Sequence, residues 1–333
     1  MTRLAGTRDG IFRLNTAATD QVLSCAPVRD LFRHGQYLYA GTEAGAYRSE
    51  DDGLNWQAIG LKNHQVWQIR AGDAQTLYAG TQPAGLFRST DDGAHWAPVD
   101  AFGAVPWSRD WSIPVEPPLP GRARTVVCDA TCTPARLRVG VEVGGIMLSD
   151  DGGETWTQVR PGDVPDIHVI VPHPADPQRL FVSTGYGRPD GIADMVEGNA
   201  GMFRSTDGGR SWTYVWAGVM PRYTRPLCID PRAPYPLTVA CAPTAFSSFR
   251  DPGGAGAALM RSDDDGDHWL DLGDPAHSPA AANFHGLAPS HDAVGSVIVG
   301  TDSGEVWQVN QSAEWLPVAR GLPPVLSLLD LAL

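Results

Sequence analysis

The chain has 333 residues, 42% of them hydrophobic and 11 of them tryptophan, enough to bury a substantial core. Its 25 basic and 38 acidic side chains leave a formal charge of −13, which argues against a nucleic-acid partner or an anionic membrane surface. Cys25, Cys128, Cys132, Cys228 and Cys241 follow neither a disulfide framework nor a zinc spacing, so no metal site and a reduced, cytoplasmic protein are expected. The start lacks the apolar run of a secretion signal, and the apolar stretch Val325–Leu333 is far too short to span a bilayer.

From the N-terminus, Leu4-Ala5-Gly6-Thr7 and Gly10-Ile11-Phe12-Arg13 read as two strands with no partner strand before them. Val28–Phe32 then opens a unit that recurs. An apolar strand is followed by a second that ends in small residues (Tyr37-Leu38-Tyr39-Ala40-Gly41-Thr42), a third (Gly45-Ala46-Tyr47-Arg48), a polar turn and a short outer strand. The first strands of the later units are Val66–Ile69, Thr125–Cys128, His168–Val171, Arg225–Ile229 and Phe284–Ala288. Val325–Leu331 is a first strand with nothing after it, as though it completed the two N-terminal strands. The expectation is an all-β fold: a single seven-bladed β-propeller over residues 1–333, with four-stranded blades. Its last blade joins residues 1–24 to 325–333, closing the ring and removing free edges.

The polar turn is a short box, Ser-x-Asp-x-Gly-x-x-Trp. It reads Ser49-Asp51-Gly53-Trp56, Ser89-Asp91-Gly93-Trp96, Ser149-Asp151-Gly153-Trp156, Ser205-Asp207-Gly209-Trp212 and Ser262-Asp264-Gly266-Trp269, with a decayed copy at Gln308, Asn310, Ser312 and Trp315. Ser and Asp hold a tight turn through their side chains, Gly takes a positive φ, and Trp buries a large ring. The box resembles the Asp-box (BNR) repeat of β-propellers, a group that includes sialidases, sortilin-type receptors and photosystem assembly factors. The resemblance implies the propeller fold and leaves enzyme and non-enzyme both open. The sialidase Phe-Arg-Ile-Pro signature is absent from the start of the chain.

The register places long insertions 100–123, 186–200 and 242–258 on the face opposite the boxes, where loops on a rigid scaffold tend to carry function. The inner strands start on that face, and their first residues are unusually polar. They include Arg29 and Asp30, His64 and Trp67, Arg122 and Arg124, Asp166 and His168, Arg222, Tyr223 and Arg225, and Asn283 and His285. Glu43, Gln82, Glu142 and Asp302 join them from the second strands. The expected site is therefore the channel mouth, fitted to a small polar or anionic molecule. Arg29, Trp67, Arg124, Arg222, Tyr223, Arg225 and Trp111 are its candidate substrate-binding residues. His168, His285, Glu142 and Asp166 are its candidate catalytic groups, acting as acid or base. No cofactor motif is present, so any cofactor is left unnamed. Three functions follow: a hydrolase or lyase on a small metabolite, a scaffold docking a protein through the long-loop face, or a cytoplasmic glycosidase using Glu142 or Asp166.

Overall fold

In the computed structural model, which describes residues 2–15, 19–163, 165–186 and 195–332, the strands form seven four-stranded antiparallel sheets. Their inner (A) strands are Val28–His34, Gln65–Ala71, Ala123–Asp129, Pro165–His173, Tyr223–Ile229, Phe284–Pro289 and Val325–Asp330, of blades 1 to 7 in that order. The seventh blade is built from both ends of the chain: Val325–Asp330 pairs with Thr2–Thr7, which pairs with Gly10–Asn15 and then Thr19–Ser24. Arg3 fastens the junction, donating to Asp330 of the last strand and to Asp292, Ser290 and Gln308 of blade 6. Among the described residues no helix is long and apolar enough to cross a membrane.

Each box does what its residue types allow. In the first, Ser49 Oγ donates to Asp51 and accepts the N–H of Gly53 at 3.0 Å, while Asp51 accepts the N–H and the side-chain amide of Asn55. Gly53 has φ +80° and Asp52 before it φ +53°, so two consecutive residues are left-handed, a conformation Asp and Gly tolerate best. The decayed copy keeps the mechanism, because Asn310 Oδ1 accepts the N–H of Ser312 and of Glu314. The indoles divide into two sets. Trp56, Trp156 and Trp212 donate to the glycine of their own box, whereas Trp96, Trp269 and Trp315 donate to Ile59, Val215 and Leu272 of the preceding blade. The carbonyl of the residue before the box glycine, or before Ser312 in the decayed copy, is also a staple: Arg48, Arg204 and Arg261 reach from one blade to Asp92, Asp265 and Gln311 of the next. The boxes thus fix neighbouring blades as well as their own turns.

The Gly-Thr ending of the second strands has two jobs. Thr42 Oγ1 closes the following turn onto the Gly45 carbonyl at 2.9 Å. Gly41 and Gly80 lie so close to the next blade that a Cβ would sit 2.8 Å from Val66 O and 2.4 Å from Ala123 O, respectively. Any side chain there would push the inner strand of the neighbouring blade off its place.

The insertion at 100–123 is more ordered than a loop. It holds a helical turn (Asp100–Gly103), a 3-10 segment (Pro106–Asp110) and a two-stranded hairpin of Ser112–Ile113 with Leu119–Pro120. Proline at the first position of the 3-10 segment fixes its φ, and Phe102 is wholly buried beneath it. Most of the 186–200 insertion, residues 187–194, lies outside the described residues.

The box aspartates Asp51, Asp91 and Asp151 are held at about 2, chiefly by hydrogen bonds from Asn55, His95 and Thr155; Asp207 reaches about 2 because Ser211 and Ser205 outweigh its burial. These values lie below the ordinary value of about 3.9, so the boxes contribute stability that is in place above roughly pH 4. That contribution is lost as pH falls toward 2, and thermal melts from pH 7 to 2 should show a flat midpoint that then drops in this window. Ser149→Ala, which leaves the buried Gly153 N–H without its acceptor, should cost about 1–3 kcal/mol in urea titrations.

Candidate functional site

The inner strands are not regular. In each of the seven the pairing skips within the first few residues, between Val28 and Asp30, Val66 and Gln68, Ala123 and Thr125, Ile167 and Val169, Thr224 and Leu227, and Phe284 and Gly286, and in blade 7 opposite Gly6 and Thr7. A β-bulge leaves one residue unpaired and re-aims its side chain. The skipped residues are Arg29, Trp67, Arg124, His168, Arg225 (with Pro226), His285 and Leu326, and all of them line a single axial cavity of about 330 Å³. The site is therefore a ring of bulge residues, one from each blade.

The residue after the bulge has a structural task. Asp30 accepts the N–H of Ile69 on the next inner strand, Gln68 accepts that of Val126, and Thr125 Oγ1 accepts that of Ile170. Ser327 Oγ donates to the Val28 carbonyl, and these side chains satisfy backbone groups at the crowded axis. Asp30 and Gln68 also touch the cavity, but both Asp30 oxygens and Gln68 Oε1 are already committed to the ring.

Five guanidiniums line the cavity, those of Arg29, Arg70, Arg122, Arg124 and Arg225. Arg29 is paired with Glu43, Arg70 with Asp30 at 2.9 Å, and Arg122 and Arg124 share Glu142 at 3.0 and 3.4 Å. Among the described residues Arg225 pairs with no carboxylate: it donates to His285 Nδ1 at 3.1 Å, to the Tyr223 hydroxyl at 3.1 Å and to the Ala245 carbonyl at 3.2 Å. The guanidiniums of Arg29, Arg122 and Arg124 lie 4.7, 4.7 and 5.3 Å from the Trp67 ring centre, so this indole is the aromatic anchor for three cations. The Trp67 indole N–H and the Arg225 Nε are shielded and have no partner among the described residues.

The two imidazoles differ. His168 is fully buried, with Nδ1 against the Thr224 carbonyl and Nε2 3.0 Å from Asp166 Oδ2. Burial pushes the ring toward neutrality, and both of its nitrogens are already occupied by neighbouring oxygens. Against its own burial, Asp166 is held at about 2 by His168 and then by Arg124 and Arg225. His285 is driven down to about 3 by burial, Arg225, Arg29 and Arg124, so it is neutral, and the hydrogen bond from Arg225 to Nδ1 places its proton on Nε2. Burial pushes the Tyr223 phenol up to about 12, and it stands as a neutral bridge between Arg225 and Asp166.

Of the residues expected at the mouth, Arg29, Trp67, Arg124, Arg225, His168, His285 and Glu142 line the cavity. Asp166 and Tyr223 stand behind it and brace His168 and Arg225. Two expectations are corrected. Arg222 does not line the cavity and pairs instead with Glu197 outside it. Trp111 is no mouth aromatic: it is 8% exposed and packs on Phe102 at 5.1 Å in the core beneath the 100–123 insertion, because the insertion folds as a cap over that core. Neither does His168 have a free nitrogen with which to take a proton from a substrate. Sequence reasoning missed Arg70 and Gln68 in the cavity wall. Among the described residues no cluster of three or more metal-ligating side chains occurs.

The family model of the DUF6242 beta propeller domain matches residues 7–109, and that of the BNR/Asp-box repeat matches residues 147–158, across the third box. The chain is an Asp-box β-propeller. No curated protein matches it in sequence. Among solved structures, the propeller is similar to a GH74 xyloglucanase from Xanthomonas campestris, with 18% identity over 95% of this chain and a TM-score of 0.61, and it spans 46% of that enzyme's length. It is also similar to YCF48 bound to D1 peptide, at 15% identity over 87% of this chain and 80% of that one with a TM-score of 0.56. A third likeness is to the Dos1 propeller, at 10% identity over 96% and 77% of the two chains with a TM-score of 0.54. Identities this low speak for the fold alone, and the fold is shared by an enzyme and by a protein caught holding a peptide.

The charge pattern of the propeller can be read by NMR titration of its imidazoles. His268, exposed and raised by its hydrogen bond to Asp264, should titrate above the ordinary 6.5, while His285 should stay neutral down to about pH 3.

Proposed function

We propose that the axial cavity is the working site and that it binds a small, polar, anionic molecule. The observation that carries this reading is the bulge ring, which turns three arginines, a tryptophan and a neutral histidine donor into one cavity of about 330 Å³. That volume lies at the small end of the usual range for small-molecule pockets, about 300–1,000 Å³. Binding is favoured over turnover by the state of the candidate catalysts. Glu142 is gripped by two guanidiniums and Asp166 by His168 and Tyr223, so neither is poised to exchange a proton with a sugar oxygen, and the glycosidase reading loses its pair. Hydrolase or lyase chemistry would fall to His285, whose Nε2 proton is a donor but whose depressed basicity makes it a poor base at neutral pH. A reducing compartment, such as the cytoplasm, suits the five free thiols.

A second reading, a protein docked on the long-loop face, has its own observation. Of nine exposed large hydrophobic side chains among the described residues, six (Val115, Leu119, Val196, Met220, Phe246 and Phe249) lie on loops that leave this face. YCF48 bound to D1 peptide shows that a propeller of this kind can hold a peptide.

A thermal-shift screen of anionic metabolites, neutral sugars and amines separates the two. A true ligand at 100 times its dissociation constant stabilises the native state by about 2.7 kcal/mol. The anions should raise the melting temperature and Arg225→Gln should abolish the rise. If no anion shifts the wild-type protein, the small-molecule reading fails.

A further inference from the structure

We infer that the anion taken up by the axial site is two-faced: an oxyanion head group carried on a short aliphatic arm. This rests on the anion reading of the same site and assigns the other end of the molecule. Six of the seven bulge residues are arginine, tryptophan or histidine, whereas the seventh, Leu326 of blade 7, is aliphatic. Two residues past the bulge in four of the inner strands, the cavity wall is leucine: Leu31 in blade 1, Leu227 in blade 5, Leu287 in blade 6 and Leu328 in blade 7. At about 3.3 Å per residue of strand, this level lies roughly 6 Å deeper than the ring.

The lining also divides around the axis. Blades 1 to 3 bring four of the five guanidiniums and a single leucine, Leu31, while blades 5 to 7 bring four leucines and a single guanidinium, that of Arg225. Arg70, three residues past Trp67, carries charge to the deeper level, and Asp30 holds it at 2.9 Å. Leu31, Leu227, Leu287 and Leu328 also pack into the cores between blades. Leu326 does not: it is half-buried, it joins none of the hydrophobic clusters among the described residues, and it lines the cavity. An aliphatic side chain turned to the axis by a bulge and left out of the core is stabilised when another apolar group displaces the water beside it. The head group meets the guanidiniums, the unpartnered Trp67 indole N–H and the His285 Nε2 proton at the ring, and the arm lies along the leucines. An anion that is polar all round would leave those leucines wet. A hydrocarbon would leave the ring without an oxyanion.

The experiment is a titration of the purified chain at about pH 8 and fixed ionic strength with acetate, butyrate, hexanoate, adipate and 1-hexanol. Binding is followed by NMR at the Trp67 indole N–H, whose signal is assigned with Trp67→Phe. Affinity should rise about fourfold for each methylene added to the carboxylate, so that butyrate binds about tenfold or more tightly than acetate. Adipate, of hexanoate's length but charged at both ends, and 1-hexanol, which lacks the head group, should each bind more weakly than hexanoate. Leu326→Asn should bring butyrate to within about threefold of acetate, as the gain from burying the arm is lost. Leu326→Met should keep the slope of the series, and Arg225→Gln should weaken every carboxylate while leaving that slope. Native melting profiles for the variants exclude a folding defect as the cause. Equal affinity along the series, adipate as tight as hexanoate, or a slope unmoved in Leu326→Asn overturns the aliphatic arm and leaves the anion site standing. Binding of 1-hexanol as tightly as hexanoate overturns the head group and the anion reading with it. No response of Trp67 to any probe overturns both.

Discussion

Everything at the centre of this molecule depends on one irregularity repeated around the ring: the bulge in each inner strand. Seven strands converge on a narrow axis, and a bulge lets each of them put one side chain into the channel while its neighbours stay paired. The bulge has consequences on both sides. The adjoining second strand needs a residue without bulk where it meets the next blade, which is why Gly41 and Gly80 stand there; in blade 4 the position is taken by Ser183, whose hydroxyl instead bonds the Arg225 carbonyl at 2.9 Å. The backbone N–H groups beyond the bulge need acceptors, and Asp30, Gln68 and Thr125 supply them across the blade boundary. Channel lining, blade spacing and buried polarity are thus one arrangement.

This also explains what could be read from the chain and what could not. The boxes were legible because their function is local: Ser, Asp and Gly act within five residues of one another, so the spacing survives in the sequence even where Asn310 has replaced Asp. The blade count was legible because the periodic strands reach both ends of the chain. The cavity residues Arg29, Trp67, Arg124, His168, Arg225 and His285 were picked out by polarity near strand starts, but strict alternation would have misplaced some of them, because a bulge adds a residue that no period of two predicts. Polarity alone also could not separate Asp30, spent on the next strand, from Arg29, turned to the cavity. Trp111 was misread for another reason. An aromatic in a long insertion is as well suited to covering a core as to covering a ligand, and only the packing of Phe102 beneath it decides.

Charge is distributed as unevenly as shape. The whole chain carries −13, and its box aspartates sit at the turns farthest from the cavity mouth. The axial wall is the reverse, with five guanidiniums and a neutral His285 whose proton affinity is depressed by burial and then by Arg225, Arg29 and Arg124. An acidic molecule with a cationic axis repels anions at long range and holds them at short range. Screening by salt weakens the first effect more than the second, because the axial charges are more buried than the box carboxylates, which are half-buried or exposed.

Arg225 is where the two open roles of the propeller meet. Its guanidinium is part of the cavity wall, yet one of its hydrogen bonds goes to the carbonyl of Ala245, in the loop between Leu237–Ala242 and Ala258–Ser262. Phe246, the next residue, is 74% exposed and is the most exposed of the large hydrophobic side chains on the loop face. The same loop is tied down further along by Asn283, which donates to the Ser247 carbonyl, and by Asp302, which accepts the Phe249 N–H. The loop that presents the apolar surface is therefore anchored on the same side chain that an anion in the cavity would engage. A small-molecule site and a docking face in this protein share a residue, and any account of one has to say what becomes of the other.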